Sequence, residues 1–342
     1  MLAGLITSQK KKMSGRKNLR WVAIPLLVLF AACISDENSK DMSEVEFEKP
    51  HYYYDVLAHK GYLYATSPWG LDVFSIRGER LSRTGGFETP GEAQALAISK
   101  DRLYISDTTG RLFVLDVSIP SAPRLIAELK LNKTAQKIVT SENRAYLACV
   151  SSGLGILDTQ KLKEVGFYKP KEYSYPKGIY LQGEKLYIAD FTLSLYVVEV
   201  RNNSLSLLAS APTSSVAHDV LISNGYAYVA SSDGGVDVFK IYGKEVEHVQ
   251  NLPLPGFALR LLKYYNYLLV TLADEGVALL EIQKDGRLRL VAQYDTPGNA
   301  YGMALDNGYV YVADYDGGIA VFDLSKLPEL VAVAFAMPEV SP

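Results

Sequence analysis

One phrase recurs seven times between residues 62 and 323, and it limits the fold before any residue is considered for chemistry. It consists of an apolar–Tyr–apolar strand, a short polar turn usually closed by Gly, and a second apolar strand that tends to end in an acid. RLYISDTTGRLFVLD at 102–116 and YVYVADYDGGIAVFD at 309–323 are two of the copies. The aligned positions are Tyr64, Tyr104, Tyr146, Tyr187, Tyr228, Leu269 and Tyr311, spaced by 40 to 42 residues. A repeat of this length is one supersecondary unit that cannot bury its apolar surface alone, so successive copies must stack.

The fifth unit shows what each copy contains. Apolar runs at 217–222 and 226–230 flank Ser223-Asn224-Gly225, and runs at 236–241 and 246–254 follow the turn Ser231-Ser232-Asp233-Gly234-Gly235. Val, Ile, Tyr and Phe suit a pleated, half-buried surface, while Gly, Asn and Asp mark the turns. Four strands of about five or six residues and their turns use about 40 residues, leaving no room for a crossover helix. Each unit therefore reads as a four-stranded antiparallel sheet, and radial stacking covers both faces of every sheet. The predicted fold is all-β: a seven-bladed β-propeller of four-stranded antiparallel blades over residues 51–342. A parallel β-helix, the alternative for a repeated β sequence, has shorter rungs and lacks these hairpin turns. The leading tetrad of each unit, such as Ala217-His218-Asp219-Val220, is the expected start of the innermost strand. The turn between second and third strands carries Gly in six units; the fourth has Thr192-Leu193-Ser194 instead, which is expected to expose Phe191 and Leu193.

Leu112-Phe113-Val114-Leu115-Asp116 with the following Val117-Ser118-Ile119-Pro120, echoed by Leu154–Asp158 and Ile319–Asp323, resembles the LVIVD-repeat family of bacterial and archaeal surface proteins. The resemblance covers about 290 residues; Ser75 and Lys240 replace the terminal acid in two units. It implies a propeller on an extracytoplasmic protein and no particular reaction. Neither a Gly-His nor a Trp-Asp pair recurs at the period that WD repeats require.

The first fifty residues read as an address. Residues 1–32 hold six basic side chains, no acid, and the apolar run Trp21 to Ala32, a secretory signal. Twelve apolar residues make about 18 Å of helix, short of the ~30 Å hydrocarbon layer. Phe30-Ala31-Ala32-Cys33 resembles a bacterial lipobox, with Phe in the place of the preferred Leu, so Cys33 is the expected lipidation site. A cleaved secreted protein and an uncleaved anchor are the alternatives, and Met13 is an alternative start. Residues 33–50 form an acidic tether, whose Asp36-Glu37 pair resembles surface-export signals but is also what a solvated linker contains. Glu44 to Pro50 resembles an outermost strand that could join the ring where it closes. The expected location is the bacterial cell envelope, as an outer-membrane or surface lipoprotein held in the membrane by its lipid. Loss of residues 1–32 leaves 29 basic against 38 acidic residues, moving the net charge from −3 to −9. Such a body disfavours nucleic acid, whose phosphates need clustered Lys and Arg. Cys149 lies alone in an apolar strand and is expected to be a buried small hydrophobe.

Chemistry is expected where the innermost strands begin. The second tetrad positions are Tyr54, Gln94, Gln136, Lys177, His218, Leu259 and Tyr301; the third include Asp55, Asp219 and Arg260. These residues differ from blade to blade while the framework repeats, as expected of a binding site on a repeated scaffold, or of side chains that simply keep a central channel polar. Trp69, Phe191 and other aromatics, Tyr52, Tyr173, Tyr175, Phe257 and Tyr315, map to the same rim and supply flat, low-entropy contact surface. The predicted binding set is Tyr54, Trp69, Gln94, Gln136, Lys177, Phe191, His218, Asp219, Arg260 and Tyr301. No G-x-S-x-G, H-E-x-x-H or C-x-x-C motif occurs. Asp314-Tyr315-Asp316-Gly317-Gly318 lacks the remaining ligands of a calcium loop. The expectation is a lipid-anchored binding scaffold for an envelope or surface protein or glycan, without a cofactor. The alternative is a periplasmic hydrolase or lactonase using His218, Asp219 and Asp55.

Overall fold

The computed structural model describes residues 52–150, 152–201 and 204–336. The expected signal, the expected lipidation site Cys33, the expected tether and the extra strand expected from Glu44 to Pro50 lie outside these residues. Seven four-stranded antiparallel sheets occupy 56–88, 93–130, 135–168, 176–212, 219–252, 260–294 and 303–336, here called blades 1 to 7. Within every blade the strands pair in chain order, from innermost to outermost. This is the predicted seven-bladed propeller. The described residues contain no α-helix, only one 3₁₀ turn at Leu324–Lys326.

The core lies between blades rather than within them. Seven clusters of buried apolar side chains each straddle two neighbouring sheets. Tyr64, Tyr104, Tyr146, Tyr187, Tyr228 and Tyr311 fill these interfaces, at most 4% exposed. Their hydroxyls do not all turn to water: Tyr228 donates to the Gly286 carbonyl of blade 6 at 3.1 Å, and Tyr311 to that of Gly78 in blade 1 at 2.6 Å. These tyrosines thus tie a blade to the outer hairpin of the next. Cys149 is buried as expected, and burial pushes its thiol up to about 11.

Among the described residues the ring closes without strand exchange. Blade 1 comes wholly from the start of the propeller and blade 7 wholly from its end, so the seam is non-covalent. Tyr53 N–H donates to the Tyr315 carbonyl at 3.3 Å, and Gly302 N–H to that of Tyr54 at 3.1 Å. Tyr53, Val56, Leu63 and Phe74 pack on Ala304, Tyr311, Ile319 and Val321 across it. Gly302 lets the two backbones approach, because a Cβ there would lie 2.6 Å from the Asp55 Cα and collide with the Asp55 carboxylate. Junctions between blades 5, 6 and 7 use similar backbone bridges, Ser232 with Ala258 and Ala273 with Ala300.

Buried aspartates hold the linkers that enter the blades. Asp107 accepts the Gly91 N–H at 3.1 Å, and Asp190 the Ser174 hydroxyl at 2.6 Å. Asp237 takes the Ser214 N–H at 2.8 Å, and Asp314 the Thr296 hydroxyl at 2.5 Å and the Gly298 N–H at 2.9 Å. Asp314 is therefore part of the framework, and burial pushes its carboxyl pKa up.

A seam of this kind makes the ring sensitive at two named points. Gly302→Ala should lower the unfolding free energy by about 1–3 kcal/mol, the usual cost of overpacking. Tyr311→Phe should lose about 1 kcal/mol with its hydrogen bond. Urea unfolding of both variants checks this; wild-type midpoints for the pair would contradict a seam built on these contacts.

Candidate functional site

The innermost strand of each blade starts with one residue too many. In blade 2, Ala93 faces Asp107 and Ala95 faces Ser106, so Gln94 has no partner in the ladder. Gln136 in blade 3 and Lys177 in blade 4 sit in the same kind of bulge. In the other four blades Tyr54, His218, Leu259 and Tyr301 donate their N–H to the end of the second strand, to Thr66, Ala230, Thr271 and Ala313. The next residue faces that same partner, so the bulge recurs in every blade. A bulge re-aims the side chain of its extra residue. Here it turns one residue per blade toward the axis, whatever its type.

These seven residues meet. Tyr54, Gln94, Gln136, Lys177, His218, Leu259 and Tyr301, joined by Arg260, line a cavity of about 260 Å³. The Arg260 guanidinium donates from Nη2 to the Gln136 carbonyl at 3.3 Å, linking blades 6 and 3. The Gln136 amide donates to Gln94 Oε1 at 3.3 Å, and the Tyr54 hydroxyl to Glu92 Oε2, also at 3.3 Å. Burial, reinforced by the positive charges of Lys177 and Arg260, depresses the His218 pKa to about 3 and leaves a neutral imidazole. Burial and the Arg260 charge likewise lower the Lys177 pKa.

The aromatic rim is partly assembled around the same mouth. Tyr315 stacks on Tyr52 with centroids 4.7 Å apart, and lies 5.7 Å from Tyr54 and 5.8 Å from Tyr301. Phe191 is 48% exposed, and Lys177 Nζ stands 5.6 Å from its ring centroid, which connects the cavity to the rim. The glycine-free turn of blade 4 exposes Phe191 and Leu193 as expected, with Leu193 at φ 58°. Trp69 is 40% exposed on the turn between second and third strands of blade 1; it belongs to the rim and does not line the cavity.

Asp219 departs from the expected set. It is buried, its carboxylate accepts the Leu261 N–H of blade 6 at 3.1 Å, and it does not line the cavity. Asp55 is likewise buried and accepts the Val56 N–H at 3.1 Å. The reason is the bulge: it turns the second tetrad position inward and the third toward the neighbouring blade. Arg260 is the exception, long enough to reach back. No group of three or more His, Cys, Asp or Glu among the described residues is arranged to hold a metal ion. Of the buried aspartates that fix the linkers, only Asp314 stood out in the sequence, and there as part of a calcium-like loop. Their signal was an acid at either of two places, the end of the second strand (Asp107, Asp190, Asp314) or the start of the third (Asp72, Asp237).

Fold and cavity define a seven-bladed β-propeller with a blade-specific axial site. Within that class, the LVIVD repeat matches this chain at four places, residues 90–130, 175–214, 215–241 and 297–333. No curated protein matches the chain. Among solved structures, Kuenenia stuttgartiensis hydrazine synthase is similar with a TM-score of 0.68 and 16% identity, covering 83% of this chain and 98% of that one. PorZ, a bacterial surface component of the type-IX secretion system of Porphyromonas gingivalis, is similar with a TM-score of 0.62 and 17% identity. That match covers 84% of this chain and 39% of PorZ. BamB from Moraxella catarrhalis follows with 0.57 and 16%, covering 78% and 81%. At these identities the likeness is one of fold.

The His218 environment sets a pH dependence. The unfolded chain takes up a proton near the ordinary 6.5, whereas the folded imidazole stays neutral down to about 3. Its contribution is therefore fully present above pH 6.5 and is lost as pH falls through that window. At ~1.4 kcal/mol per unit, reduced for residual solvent contact, His218→Gln should remove about 1–2 kcal/mol of the acid destabilisation between about pH 7 and 4.5. Urea titrations of both proteins at the two pH values measure it, and parallel losses would contradict a neutral His218.

Proposed function

We propose that the chain is an exported, lipid-anchored propeller that holds a protein or glycan partner on its axial face. One observation carries this reading: every blade contributes its bulged residue to the same cavity. The linkers and turns around that mouth also present Trp69, Tyr173, Phe191 and Phe257, all at least 40% exposed. Rigid aromatics around a polar centre suit recognition. The hydrolase reading loses support because its two carboxylates, Asp55 and Asp219, serve the backbone and the blade junction. The export signal and Cys33 support the envelope as the place of work, in keeping with the surface position named for PorZ.

Two measurements test this. Partner recovery from envelope extract should fall about tenfold, or ~1.4 kcal/mol, for the Trp69→Ala/Tyr301→Ala double variant; equal recovery would sink the rim assignment. Palmitate labelling of the full chain should be present in wild type and absent in Cys33→Ser. Label retained by the variant would remove Cys33 as the anchor.

A further inference from the structure

We infer that the axial cavity is a binding site for a small oxyanion group, a carboxylate or phosphate, held between Lys177 and Arg260. The groups lining it are two cations, two amides, a neutral imidazole, two phenols and one leucine. No carboxylate is among them. Neither cation forms an ion pair with any described residue: Lys177 faces only the Phe191 ring, and Arg260 reaches only the Gln136 carbonyl. Glu92, an acid of the rim, is exposed and accepts the Tyr54 hydroxyl outside the lining.

Like charges in a confined, partly buried space raise one another's cost unless an opposite charge joins them. Some half-buried cations elsewhere are paired, Arg144 with Asp158 at 3.1 Å and Arg111 with Glu128 at 2.9 Å, and others, such as Lys185 and Lys263, form no ion pair with a described residue. The axial pair differs in bringing two unpaired cations into one cavity, where the fold gathers its variable residues. The remaining lining suits the same ligand. Lys and Arg donate only, the glutamine amides and the phenols can donate, and the neutral imidazole offers a further N–H. Arg favours planar, two-pronged recognition of carboxylate and phosphate, with Lys as a point charge beside it. The volume admits a small anion or the charged end of a larger one.

This inference rests on the axial face being the functional one, but its test needs no partner. The full chain, with its four histidines isotopically labelled, is titrated with sodium acetate or potassium phosphate at constant ionic strength set by sodium chloride. The expected result is a saturable shift of the His218 resonance with half-saturation at about 1 mM or below. His59 and His248, which lie outside the cavity, should not follow it. Saturation by acetate alone identifies a carboxylate site, and by phosphate alone a phosphate site. Lys177→Gln and Arg260→Gln should each weaken binding at least about tenfold. Gln94→Glu, which supplies a carboxylate beside Gln136, should abolish it while the thermal midpoint is kept or raised. Absence of a saturable shift below about 10 mM, or an unchanged titration in the Lys177→Gln/Arg260→Gln double variant, overturns the site. The pull-down variants leave Lys177 and Arg260 in place, so failure of partner capture and failure of anion binding are read separately.

Discussion

Each blade of this propeller can bury its two faces only against its neighbours, and this constraint governs the rest of the structure. Buried side chains collect in seven clusters, one per junction, with none belonging to a single sheet. Six junctions are made of blades that are consecutive in the chain. The seventh must bring residues 303–336 against 56–88 with no shared strand. Chain connectivity contributes nothing there, so complementarity has to hold the ends together. The close backbone approach at Gly302 and the Tyr311 hydroxyl on Gly78 meet that need, and the Tyr52–Tyr315 stack covers the seam on the mouth side.

The same requirement explains the bulges. Innermost strands crowd toward the axis, and an extra residue at their start sharpens the local twist and leaves one side chain outside the ladder. Because the extra residue has no cross-strand partner, its identity is not set by the ladder. Gln94, Lys177, His218 and Leu259 can therefore differ in polarity and charge, where the aligned strand position stays a large buried side chain, Tyr in six blades and Leu269 in blade 6. A second register shift recurs between the third and fourth strands of every blade, at Val73/Phe74 in the first and Val321/Phe322 in the last. There it bends the exposed outer strand, a known way of making an edge unattractive to other strands.

Blade number, strand order and the inward positions were legible in the sequence, because a 40 to 42-residue period aligns equivalent residues without any knowledge of contacts. Direction at the third tetrad position was not. Asp219 and Asp55 look like ligands when aligned beside His218 and Tyr54, and only the bulge reveals that they point into the blade junction. The framework aspartates were hidden for another reason: Asp107 and Asp237 fix equivalent linkers from different strands, so no column of the repeat contains them both. Tyr228 and Tyr311 were legible as interface residues, but their hydroxyl partners, 58 and 233 residues away, were not.

Net charge and local charge have opposite signs here. The whole chain carries −3, yet the axial lining carries two cations and no acid. A cavity with one sign of charge and low-dielectric walls focuses its field at the opening, while scattered surface charges of the other sign are screened within about a Debye length. An approaching anion would thus be repelled weakly by the body and attracted at the mouth. This separation follows from the scaffold. Seven ladders keep the same strand pairing, and seven bulges deliver residues to one place. The sign of the site can therefore change by substitution at one or two positions without disturbing a single blade junction.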